Sequence, residues 1–205
     1  MTEQRVELRQ LILETAMSEF KAKGIKRVRM DDIAHQLGIS KRTLYEVFSN
    51  KEQLLLEGVK DDEARKDEYM NAFIADGNHS VMDVLIEYYR FRLKWISTLN
   101  PLFFNELRRY DVVMDYLTEL REKRECLTKT FIQRGIEEGY FADYFDYSII
   151  LKVMNMAIDG LLQKKMYKEY DFPSLFRNVN PFFLRGFCTL KGIEVIDRLI
   201  LNETF

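Results

Sequence analysis

Residues 40–51 gather Ser40, Lys41, Arg42, Thr43, Tyr45 and Lys51 into one short stretch. Ammonium, guanidinium and hydroxyl groups are the donors that phosphate oxygens accept, and a forked guanidinium or a short hydroxyl also fits the edge of a base. Wound at 100° per residue, the stretch sorts itself. Leu44, Val47 and Phe48 fall on one side, and Arg42, Tyr45, Glu46 and Ser49 on the other. A helix of that pattern buries its apolar side and turns a polar, charged and aromatic side outward. The basic character extends upstream. Residues 21–51 hold eight Lys or Arg against three acids, a net +5, whereas residues 52–205 hold 21 basic and 26 acidic groups, a net −5. The overall charge of −2 hides a basic head on an acidic body.

The neighbouring segments supply what such a helix needs to be positioned. Residues 6–23 place Val6, Leu8, Leu11, Ile12, Ala16 and Phe20 near a helical period, and Gly24 follows as a stop. Residues 30–37 predict a short second helix with Ile33, Ala34 and Leu37 on one face and Asp31 and Asp32 in the first turn, where the helix dipole favours acids. Gly38 ends it. Ser40 is placed to cap the third helix, and Ile39 to pack on Leu44 as a hydrophobic staple. A short helix, a turn at glycine and a second helix with an outward basic face are the parts of a helix-turn-helix. Lys51 then opens a fourth helix, whose first amide groups suit a phosphate.

The run Met30-Asp31-Asp32-Ile33-Ala34, through Gly38-Ile39-Ser40-Lys41-Arg42-Thr43-Leu44-Tyr45, to Phe48 and Lys51-Glu52 resembles the TetR family of transcriptional regulators. The resemblance covers roughly residues 8–56. It implies a homodimer with DNA-binding heads on a double-stranded operator. Lys41, Arg42 and Thr43 would approach bases or phosphates, and Tyr45 and Lys51 would grip the backbone. Two positions depart from the family pattern: Arg29 stands where Thr or Ser is frequent, exchanging a neutral cap for a charged contact, and Val47 stands where His is frequent. For the body, the resemblance implies a small-molecule cavity among the middle helices and dimer contacts through the last ones, where Ala157 and Gly160 would permit close crossing. Tyr88, Arg92, Trp95, Phe103, Leu107, Tyr110 and Met154 are the candidates to line that cavity, because they join apolar bulk to a few polar tips.

Composition sets the remaining bounds. With 47% apolar residues, 9 Gly and 3 Pro in 205 residues, the expected class is all-α, a three-helix head joined to a larger helical bundle. Further helices are expected at 51–70, at 80–98, from Pro101, at 112–138, from Asp143 or Asp146 to 167, and at 174–201, interrupted or bent near Pro181 and again near Gly192. The expected domains are a helix-turn-helix domain at 1–50 and a ligand-binding and dimerisation domain at 51–205. Of the aromatic residues, 24 lie among the last 155 and 3 among the first 50, which reads first as a large core. Arg92 suits an acidic ligand less readily than a structural carboxylate such as Glu106 or Asp159. Cys126 and Cys188 read as reduced core thiols rather than a disulfide framework or a zinc site.

His79 and Asp83 stand four apart without a third ligand nearby, so a surface pair is the plainer reading, and neither metal nor cofactor is expected. No stretch suits a signal peptide or a membrane span, pointing to a cytoplasmic protein without a membrane partner. No nucleophile sits beside a base and no glycine-rich phosphate loop occurs, so an enzyme is not expected. The expected function is a repressor that an unknown small-molecule effector releases from DNA. The alternative is a constitutive or architectural DNA binder without a ligand.

Overall fold

Scarce proline and glycine leave long uninterrupted helical periods, and the computed structural model, which describes residues 3–202, is helical nearly throughout. Eleven α-helices occur among these residues: α1 (Glu3–Lys23), α2 (Met30–Gln36), α3 (Lys41–Val47), α4 (Lys51–Ala75), α5 (Val81–Ser97), α6 (Pro101–Leu107), α7 (Asp111–Lys123), α8 (Glu125–Glu137), α9 (Tyr147–Gln163), α10 (Phe172–Phe187) and α11 (Leu190–Asn202). The class is all-α, as the composition implied. No helix among the described residues is long and apolar enough to cross a membrane. The chain divides into two compact units, Met1–Tyr69 with Thr98–Leu120, and Met70–Ser97 with Arg121–Phe205. These packing units cut the chain differently from the boundary expected at residue 50.

In the first unit, α1 buries Ile12, Leu13, Ala16, Met17 and Phe20 and packs against α2 and α6, while α2 packs against α3. Gly58 of α4 meets α1 so closely that an added Cβ would lie 2.4 Å from Met17 Sδ. It is therefore a close-packing site. Three ion pairs run between the same two helices, Arg9–Glu57, Arg65–Glu14 and Lys21–Asp62, each at 2.7 Å. The start of α6 closes the end of α1. The Asn100 amide donates to the Lys21 carbonyl at 2.7 Å, its side-chain amide donates to the Ala22 carbonyl at 3.2 Å, and Glu106 accepts from the Lys26 amide at 2.7 Å.

In the second unit, α5 packs against α8, α10 and α11. Val81 and Met82 join Phe141, Leu184, Phe187, Cys188 and Ile196 in one apolar cluster, and Tyr89 and Leu93 join Leu199 in another. The apolar helix expected near residues 80–98 is thus central to its unit. The α9 helix differs. Leu162 alone is classed as buried along it, while Ile149, Val153 and Met156 stay 58%, 49% and 72% exposed on one stripe.

Three expectations need correction. The helix predicted over 112–138 is two helices, parted at Arg124, in a stretch where Arg121, Glu122, Lys123 and Glu125 are exposed. Pro181 lies inside α10 without ending it. The break falls instead at Cys188–Thr189, where Cys188 forms an isolated antiparallel bridge with Phe141 and the Thr189 amide donates to the Tyr140 carbonyl at 2.9 Å. The interruption expected near Gly192 thus falls just before it; Gly192 itself sits within α11, where an added Cβ would lie 2.5 Å from the Tyr140 carbonyl oxygen. Finally, Cys126 is exposed on α8, whereas Cys188 is buried.

The two thiols consequently differ in chemistry. Burial pushes the Cys188 thiol up to about 11, which leaves almost no thiolate near neutrality. A chromogenic thiol reagent at pH 7.5 is expected to label one cysteine per folded chain. Cys126→Ser removes that signal, and the second thiol appears only after denaturation. Two fast thiols in the native protein would contradict this packing.

Candidate nucleic-acid interface

The turn between α2 and α3 rests on local chemistry. Gly38 takes a left-handed φ of +65°, with no atom within 4 Å of the Cβ it lacks, and the Ile39 amide reaches back to the Ala34 carbonyl at 3.0 Å. Ser40 caps α3, its hydroxyl accepting from the Thr43 amide at 3.0 Å, as the residue type implied. At the start of α2, Arg29 provides no side-chain cap. Asp32 accepts the Arg29 amide at 2.9 Å and leaves the guanidinium side chain exposed. Leu44 is fully buried and Phe48 is 1% exposed, so the inner side of α3 is anchored at its middle and at its end.

That anchoring turns the other side outward. Ser40, Lys41, Arg42 and Tyr45 are exposed and Thr43 is half-buried; the Arg42 side chain is 88% exposed. Lys41 pairs with Asp31 of α2, and the Arg42 Nε–H donates to Glu46 at 2.9 Å. Exposed pairs of this kind hold loosely and exchange readily for other anions. Lys26 and Arg27, in the loop before Arg29, are exposed as well. The run Lys26-Arg27-Val28-Arg29 carried that signal, but only Arg29 stood at a family position.

Lys51 behaves differently from its basic neighbours. Its ammonium donates to the Val28 carbonyl at 2.6 Å and lies 5.6 Å from the centre of the Phe20 ring. Burial pushes its pKa down, partly offset by the fields of Glu106 and Asp32. The cap of α4 falls to a residue that sequence reasoning passed over. Asn50 accepts from the Gln53 amide at 2.8 Å, and the Gln53 side chain accepts from the Ser49 amide at 2.7 Å. The spacing Asn50-x-x-Gln53 was the readable sign.

The seven cavity candidates belong to different units. Tyr88, Arg92, Trp95 and Met154 lie in the second, and Phe103, Leu107 and Tyr110 in the first. Within the second unit, the Arg92 guanidinium stacks 4.9 Å from the Trp95 ring centre, Tyr88 is exposed and Met154 half-buried. Within the first, Phe103 and Leu107 are core residues, and burial pushes the half-buried Tyr110 hydroxyl upward. Glu106, a suggested partner of Arg92, is engaged with the Lys26 amide. Two open clefts on the second unit, one near Phe141 and Tyr144 and one near Arg177 and Phe182, are lined by none of the seven. His79 and Asp83 are used separately. The imidazole stacks on Phe73 at 4.0 Å, and Asp83 accepts from the Ser80 amide at 2.8 Å.

Residues 12–57 match the family model described as bacterial regulatory proteins, tetR family. The chain is 25% identical over 177 residues to the HTH-type transcriptional regulator YfiR of Bacillus subtilis, covering 76% of this chain and 78% of that one. It is 23% identical over 195 residues to the "Probable acrEF/envCD operon repressor" of Escherichia coli (strain K12), covering 86% of each. Its fold is similar to that of a protein from Saccharomonospora viridis solved in complex with choline, with a TM-score of 0.71, 20% identity, and coverage of 90% of this chain and 99% of that one.

The inward amine of Lys51 separates a structural cation from the outward ones. Lys51→Met strands the buried Val28 carbonyl and is expected to lower unfolding free energy by about 1–3 kcal/mol in urea titrations. Arg42→Ala, which removes only an exposed contact, is expected to leave the urea midpoint at the parent value. Equal effects of the two substitutions would show that the Val28 contact contributes no stability.

Proposed function

We propose that this chain, a member of the TetR family of bacterial regulatory proteins, is a homodimeric transcriptional repressor that a small-molecule effector releases from its operator. The observation that carries the reading is the outward face of α3. Arg42 and Tyr45 project from a capped helix whose opposite side is buried, directly after the glycine turn of a helix-turn-helix. In this reading Ser40, Lys41, Arg42, Thr43, Tyr45 and Arg29 contact DNA, and Lys51 contributes mainly by holding the start of α4 in place.

Twofold pairing is supported by the apolar stripe of Ile149, Val153 and Met156, by Gly160, which has nothing within 4 Å of the Cβ it lacks, and by the exposed Phe182 of α10. A monomer in water rarely leaves so continuous an apolar face uncovered. Two heads then occupy successive major grooves about 34 Å apart on a pseudo-palindrome. Residues 1–50 form the reading domain, and residues 51–205 hold the effector and the dimer contacts. Within the second unit, Tyr88, Arg92, Trp95 and Met154 are the proposed effector contacts; in the first, Phe103 and Leu107 are packed in the core and Tyr110 is half-buried. Repression is supported by the likeness to the probable operon repressor of Escherichia coli, and a small organic effector by the choline bound to the Saccharomonospora viridis protein. Release requires the effector to prefer the non-binding arrangement by a few kcal/mol, since equal affinity for both shifts nothing.

Selection of bound fragments from random genomic DNA is expected to return a pseudo-palindromic site. If the dimer contacts about eight phosphates, the log-log salt slope is near −7. Tyr45→Phe and Arg42→Ala weaken binding with the dimer intact, whereas Val153→Asp abolishes both the dimer and tight operator binding. A salt-insensitive interaction, or a tight monomeric complex, would overturn the proposal. A thermal-shift screen of small organic cations and lipophilic acids tests the effector separately.

A further inference from the structure

The acids near the reading face have different employments. Asp32 caps α2 through the Arg29 amide, and Asp31 bridges α2 to α3 through Lys41. Glu46 joins nothing across helices. Its carboxylate accepts from Arg42 one turn back on the same helix, and its own side chain is 57% exposed. An exposed pair at that spacing adds little to the stability of a helix. Placing an acid on the outward face of a segment with a net charge of +5 also weakens its attraction for phosphate. Neither stability nor general affinity accounts for Glu46.

The geometry of the pair does. Arginine carries five N–H donors in one plane. The hydrogen bond to Glu46 uses the Nε–H, at 2.9 Å. The two terminal nitrogens therefore keep a pair of parallel donors at the tip of a side chain that is 88% exposed. In the major groove, guanine offers two adjacent acceptors, O6 and N7, whereas the other bases offer a donor or a methyl group in one of the corresponding places. A phosphate would also accept the fork, but drawing Arg42 to the backbone brings the Glu46 carboxylate toward like charge. Lys41, a point charge without a fork, has no equivalent discrimination.

We propose that Glu46 is a specificity-determining positioning residue: it holds Arg42 by its Nε edge so that the terminal fork reads guanine in the major groove, and it opposes capture of Arg42 by phosphate. This rests on the DNA-reading role proposed above for α3. It assigns one G·C pair in each half-site to Arg42.

The test uses the full chain and the site selected from random duplexes, with each base pair replaced in turn at fixed salt. One G·C pair is expected whose replacement weakens the parent about tenfold or more, and Arg42→Ala removes that penalty. Glu46→Ala reduces the penalty to under about threefold, while binding to random duplex tightens as a negative charge is lost. Glu46→Gln, which keeps an acceptor for Nε, retains most of the penalty and still binds random duplex more tightly. Melting temperatures of the three variants stay at the parent value, which separates the effect from folding. An undiminished penalty in Glu46→Ala, or an Arg42-dependent pair other than G·C, overturns the assignment. A parent that selects no preferred sequence overturns the DNA-reading role itself, and the assignment with it.

Discussion

The outward face depends on a burial constraint: α3 has seven residues and cannot persist on its own. It exists because Leu44 is fully buried, because Phe48 closes its end in the core, and because Ser40 satisfies its first turn. Arg9 of α1 lies 5.3 Å from the centre of the Phe48 ring and covers it from the side. With three points pinned, the rotation of the helix is no longer free. Arg42 and Tyr45 face water because Leu44 and Phe48 do not. The outward face is thus a by-product of core packing.

The same packing decides what each cation is available for. Lys41 and Lys51 are the same residue type, ten positions apart, in a segment of net positive charge. Lys41 has a partner in Asp31 on an exposed surface, and that pair exchanges at small cost. Lys51 stands where the Val28 carbonyl and the Phe20 ring converge, and its amine is drawn into the fold. Removing it from that place strands a buried acceptor, so its contribution is to the shape of the head. Spacing alone put the two lysines in one category, and burial separates them.

Local chemistry was legible wherever it decided the outcome. The periodicities of α1, α2 and α3, the Gly38 turn, the Ser40 cap and the Asp146 cap of α9 all follow from residues within one turn of the feature. What could not be read was set by distant partners. Pro181 is accommodated in α10, while that helix ends at Cys188 because Phe141, far away in sequence, pairs with it there. Gly192 is required by the Tyr140 carbonyl rather than by any turn. The break at Arg124 falls in a run of five charged residues, four of them exposed, which no proline or glycine announces. In the candidate site the outward residues and the Arg42–Glu46 spacing were legible, but Asp31 becomes the partner of Lys41 only once α2 and α3 are placed.

The first unit also restrains α1. Along α1 and α4 the pairs Arg9–Glu57, Arg65–Glu14 and Lys21–Asp62 are spread over much of the α1 length. Singly, such half-exposed pairs hold weakly, so they do not by themselves prevent sliding. Gly58 adds a close approach, since a Cβ there would lie 2.4 Å from Met17 Sδ and would force that side chain to move. At the far end of α1, Asn100 and Glu106 hold the last carbonyls and the following turn. Within this unit α1 is thus tied by several contacts of different kinds, ion pairs to α4, one close approach at Gly58 and hydrogen bonds to the start of α6.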